Sequence, residues 1–166
     1  PERPLSPFRR HQGASHQGTF DRYRRAEHYW LRPLLFLLMQ PRCMAPAIFQ
    51  VIYSPIDLQL SDVDVVQPDL QVVLEGNRII TQTRIRGVPD LVIEILSPPN
   101  RKHDTELKKQ LYEQFAVPEY WIVDPDECVV VRYRLDEAGK FGQSTEFKDA
   151  ITFDAVPGGA LVDLTR

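Results

Sequence analysis

The spacing of apolar residues changes about a third of the way along the chain. From Phe49 onward they fall in short runs rich in β-branched and aromatic side chains: "FQVIYS", "DLQVVL", "DLVIEIL", "EYWIVD" and "CVVVRYRL". Each run is bounded by Pro, Asp, Gly or Asn, and each predicts a strand. Between the third and fourth runs the period lengthens. Leu107, Leu111 and Phe115 recur every four residues in "KHDTELKKQLYEQFA", which predicts a helix over 102–116 with an apolar stripe that packs on a sheet. Pro98 and Pro99 cannot extend the strand before it, and Pro118 lies just past its end, so the unit reads as strand, proline loop, helix, turn, strand. The tail "FDAVPGGALVDL" predicts a turn followed by a short edge strand.

The first 46 residues follow another pattern, rich in arginine, histidine and proline. Here "HQGTFDRYRRAEHYWLR" is a helix candidate that must kink or stop near Pro33. Its arginines interleave with aromatics, a combination able to grip phosphates and stack on bases, though an amphipathic helix with a solvated basic face has the same composition. No internal repeat or low-complexity tract is visible.

One polar residue stands out against the strand pattern. In "PDLVIEILSPPN" the run Leu91, Val92, Ile93, Ile95, Leu96 is that of a strand covered on both faces, and Glu94 interrupts it. A carboxylate removed from water needs a proton, a partner or a metal. Asp69 opens the earlier strand "DLQVVL" directly after Pro68. If the two strands are neighbours, both acids converge at one end of the sheet, and a hard divalent ion such as Mg²⁺ or Mn²⁺ relieves their repulsion. The rival reading pairs Glu94 with Arg84 or Arg86.

On the helix, Asp104, Lys108 and Tyr112 are spaced four apart and form a second stripe beside the apolar one. Lys108 is expected to reach back over the strand of Glu94. There its ammonium would favour hydroxide and stabilise charge developing on a phosphate. In isolation Asp104 and Lys108 read as an exposed helical ion pair. Tyr112 reads as a half-buried packing residue in a supporting place.

Composition narrows the classes. The 166 residues are 43% hydrophobic and 26% charged, which suits one globular domain with a real core. The net charge of −3 lacks the global basicity of a protein that holds nucleic acid by charge alone. Cys43 and Cys128 have no CxxC partner, and His11, His16, His28 and His103 have no tight zinc spacing, which argues against a zinc ribbon. The longest apolar stretch, "LRPLLFLLM", contains Arg and Pro and is about half of what a bilayer requires, so no membrane span is expected. The opening "PERPLSPFRR" lacks the order of a signal peptide, and a cytoplasmic location is expected.

The motifs "VVQPDLQVV", "GVPDLVIEILSPPN" and "VPEYWIVDPD", with the DxxxKxxxY spacing of Asp104, Lys108 and Tyr112, together resemble the Uma-two family. That bacterial group lies in the PD-(D/E)xK restriction-endonuclease-like superfamily. The resemblance runs from about Ser54 to the C-terminus, roughly two-thirds of the chain. It implies an α/β fold of mixed α+β character, with a central mixed sheet flanked by helices. It also implies a Mg²⁺- or Mn²⁺-dependent endonuclease acting on DNA. By that resemblance Asp69 and Glu94 ligate the metal, with the backbone carbonyl of Ile95 as a further ligand. The superfamily's lysine position falls on Leu96, and Lys108 matches the helical lysine that replaces it in this family. Family members begin with a short helix and hairpin upstream of a proline-serine stretch and a histidine. Here the chain starts near that stretch, with "PLSPFRRHQ" and His11, so the expected organisation is one domain: a divergent or truncated helical segment over 1–46 and a nuclease-like core over 47–166. A homodimer is expected by analogy with nucleases that cut two strands with two subunits. The alternative is a silent nuclease fold serving as a binding or dimerisation module.

Overall fold

The computed structural model describes residues 49–96, 101–124, 126–155 and 160–164. The helix expected before Pro33, the basic aromatic segment, Cys43 and three of the four histidines lie outside them.

A six-stranded sheet forms the centre. In chain order its strands are β1 (Phe49–Tyr53), β4 (Leu70–Leu74), β6 (Leu91–Ile95), β7 (Glu119–Asp124), β8 (Val129–Arg134) and β9 (Thr145–Phe147), and they are neighbours in that same order. All pairings are antiparallel except β6 with β7, which run parallel. Parallel neighbours need a crossover. The helix α1 (Arg101–Gln114) supplies it. The sheet is therefore mixed, as expected.

Alternation along the strands builds two cores. One face carries Leu70, Val72, Leu91, Ile93, Trp121, Val123 and Val130, which pack with Ile151 and Phe153 of the C-terminal hairpin β10 (Ala150–Phe153) and β11 (Ala160–Asp163). The tail thus forms a hairpin of its own where a single edge strand was expected. The other face carries Val92, Tyr120 and Ile122, covered by Leu111 and Tyr112 of α1 and by Leu58, Val66 and Ile85. Those last three belong to a small sheet of β2 (Leu58–Gln59), β3 (Val65–Val66) and β5 (Ile85–Arg86), whose two-residue strands are too short to leave a period in the sequence.

The helix ends in a Schellman turn. The amide of Val117 donates to the Tyr112 carbonyl at 2.9 Å and that of Ala116 to the Glu113 carbonyl at 3.0 Å, with Ala116 at φ 55°. This turn stops regular helix at Gln114, two residues before the sequence-based boundary, and sends the chain directly into β7.

Candidate active site

Register brings the two acids together. Leu70 lies opposite Ile93 and Gln71 opposite Val92. One step further along the same antiparallel register sets Asp69 against Glu94, at the end where β4 begins and β6 finishes. Asp69 and Gln71 share a face with Val92 and Glu94, the face under α1 and the small sheet. The segment entering Asp69 is held by Gln67, whose Nε2 donates to Asp57 Oδ1 at 2.8 Å, and by the Ser54 amide, which donates to the Asp69 carbonyl at 3.1 Å. The Asp69 carboxylate accepts the Ile95 amide on Oδ2 at 2.8 Å, which pins it against the end of β6.

Glu94 is buried, and each carboxylate oxygen has a donor. Lys108 Nζ lies 2.9 Å from Oε2, and the Tyr112 hydroxyl donates to Oε1 at 2.8 Å. Spacing by four along α1 stacks both donors over β6. Burial pushes the Glu94 carboxyl up to about 7; the Lys108 ammonium works against that shift, and Asp69 adds to it. Tyr112 is fully buried, and its phenol is raised well above 10, first by burial and then by Glu94. The expectation of a half-buried packing residue is corrected: Tyr112 fills the core and also fixes the acid.

The rival partners of Glu94 are engaged elsewhere. Arg84 Nη1 donates to Gln59 Oε1 at 3.1 Å, and Arg86 Nη2 lies 3.6 Å from Asp62 Oδ1, each contact joining a strand of the small sheet to a residue beside it. Asp104 stands in the first turn of α1, and its side chain falls outside the described residues. Asp90, the aspartate of "GVPD", is structural: its Oδ2 accepts the Leu74 amide at 2.8 Å and Asn77 Nδ2 at 2.9 Å.

One polar side chain in this region escaped the sequence reading. Gln71 is fully buried, and neither its Oε1 nor its Nε2 has a hydrogen-bond partner. A buried carboxamide without partners costs about 1 to 3 kcal/mol. The signal was present in "DLQVVL", where Gln71 is the polar interruption two residues after Asp69.

The donor set suits a hard cation. Two carboxylates oppose each other on adjacent strands, and the charge on one is disfavoured by burial and by the other, a repulsion that a divalent ion removes. Among the described residues no three His, Cys, Asp or Glu side chains form a metal cage. Two carboxylates with carbonyl and water ligands match Mg²⁺ or Mn²⁺ better than an ion demanding a full protein cage.

A family model described as "Uma2: Putative restriction endonuclease" matches residues 22–163. The chain belongs to the Uma2 family. The fold agrees with that membership. The chain is similar to the crystal structure of "a putative nuclease belonging to DUF820" from Anabaena variabilis, with a TM-score of 0.52 and 20% identity over 83% of this chain and 69% of that one. The fold of this chain is consistent with a restriction-endonuclease-like core, and in it Asp69 directly precedes β4, Glu94 lies on β6 and Lys108 on the crossover helix. A comparison with curated proteins finds no match. Among the described residues no helix is long and apolar enough to cross a membrane.

Proposed function

We propose that the chain is a divalent-metal-dependent endonuclease that hydrolyses DNA phosphodiester bonds. Asp69 and Glu94, with the backbone carbonyl of Ile95, hold Mg²⁺ or Mn²⁺, and Lys108 stands beside the attacking water. The observation that carries this reading is the pair of buried acids facing each other across β4 and β6 with an ammonium 2.9 Å from one of them. When bound, the cation supplies Lewis-acid polarisation of a phosphoryl oxygen and eases the loss of a proton from water. Lys108 contributes positive charge where the phosphate becomes more negative. Tyr112 keeps Glu94 in one orientation, and Asp104, one turn before Lys108, supports the lysine. The partner in this reading is DNA in the cytoplasm. A homodimer would place one site on each strand, and residues 1–166 act as one domain.

The test is cleavage of supercoiled plasmid with Mg²⁺ or Mn²⁺, repeated with Asp69→Asn, Glu94→Gln and Lys108→Met after circular dichroism shows each variant folded. Cleavage that needs the metal and fails in all three variants supports the proposal. Cleavage that survives chelation, or that Asp69→Asn leaves intact, overturns it. A second reading, a silent module, draws on the donors that Glu94 already has on both oxygens. It predicts a folded wild type that neither binds Mn²⁺ nor cuts DNA.

A further inference from the structure

Gln71 occupies a place where an aliphatic residue would pack without penalty. On its face of the sheet its cross-strand neighbours are Ile52 on β1 and Val92 on β6, and Leu70, Val72 and Val73 surround it in sequence. Yet the chain keeps a carboxamide there, fully buried and with both polar atoms unpartnered. Packing alone does not account for it.

Its position does. Gln71 lies on the same face as Asp69, two residues along β4, and diagonal to Glu94 across the β4 and β6 pair. Diagonal neighbours on one face are about 7 to 8 Å apart, a span that two long side chains can bridge. The carboxamide offers one acceptor and two donors on the face of the sheet that carries both acids. Gln71 lies two residues further into the sheet than Asp69, at the position paired with Val92. Mg²⁺ and Mn²⁺ at such sites keep several of their waters, and those waters need partners.

We propose that Gln71 is a positioning residue of the cation site, its carboxamide hydrogen-bonding the water shell of an ion held by Asp69 and Glu94. This inference rests on the divalent-cation reading above. It assigns the unpartnered amide a partner that arrives with the metal. Groups that hold a metal's ligands in place typically carry a 10- to 100-fold share of its affinity.

The experiment is calorimetric Mn²⁺ binding at pH 8 to wild type, Asp69→Asn, Gln71→Met and Gln71→Asn, with urea unfolding of each in EDTA. Methionine keeps the length of the side chain without the amide, and asparagine keeps the amide on a shorter arm. The expected result is binding to wild type, none to Asp69→Asn, and about 10- to 100-fold weaker binding to both Gln71 variants, with metal-free Gln71→Met as stable as wild type or more so. Wild-type binding with Mn²⁺ affinity in Gln71→Met within twofold of it would overturn the role of Gln71 while leaving the cation reading intact. Absence of binding to wild type would overturn both. Should Gln71→Met not fold, Gln71→Asn decides by the same affinity criterion.

Discussion

Replacing Glu94 by glutamine tests the electrostatics of the site without metal or substrate. Two effects oppose each other at this carboxyl. The Lys108 ammonium 2.9 Å away favours the charged form, and burial with Asp69 nearby favours the neutral one. Burial wins, and the group rises from 4.5 to about 7. A folded state that holds its proton more tightly than the unfolded chain is stabilised below the unfolded value, and it loses that stability as pH climbs through the folded one. At about 1.36 kcal/mol per pH unit of difference, the loss from Glu94 is about 3 kcal/mol, spread between pH 4.5 and 7. Glutamine has no such titration. The unfolding free energy of wild type minus that of Glu94→Gln, from urea melts in EDTA followed by Trp fluorescence, should therefore fall by about 3 kcal/mol over that window and level off above it. A difference that rises with pH would mean that Lys108 dominates and that Glu94 is an ordinary salt-bridge acid. A flat difference would place the carboxyl in water. Either result refutes the reasoning.

Other perturbations follow from the same contacts. Lys108→Met leaves a buried carboxylate that keeps the Tyr112 hydroxyl as a donor and loses its ammonium, so it should cost about 3 kcal/mol at pH 8.5 and far less at pH 5, where Glu94 carries its proton; urea melts at the two pH values check this. Ala116 sits at φ 55°, where a Cβ is unfavourable, and Ala116→Gly should stabilise by about 0.5 kcal/mol, read as a rise in the urea midpoint with unchanged slope. Gly87 is at φ 138°, and a Cβ there would stand 2.5 Å from Ile79 Cγ2. Gly87→Ala should therefore cost about 2 kcal/mol or more by thermal unfolding.

The main strands and α1 were legible because their periods are long enough to count. The small sheet was not, since two-residue strands carry no alternation, and "AITF" of β10 is a four-residue run that the turn signals beside it obscured. Asp69 and Glu94 could be set together only on the condition that their strands are neighbours, and the β4–β6 pairing meets that condition. Their partners were harder. Choosing Lys108 over Arg84 or Arg86 rested on the family resemblance, since the arginines' own partners, Gln59 and Asp62, lie on or beside strands too short to read in the sequence. Tyr112 followed the helical period, but its hydroxyl bond depends on a crossing geometry that spacing does not carry. Gln71 has the place of an ordinary polar residue in a strand run, and only its full burial marks it out.

The acid and its ammonium sit on different kinds of element, Glu94 in the sheet and Lys108 on the crossover helix. The ionisation state of one carboxyl is thereby tied to how firmly α1 is docked. Each excursion that lifts the helix separates Lys108 and Tyr112 from Glu94 together, since both lie within one turn. The amides of α1 should accordingly report proton occupancy on β6, exchanging with deuterium at a rate whose pH dependence departs from simple base catalysis near neutrality.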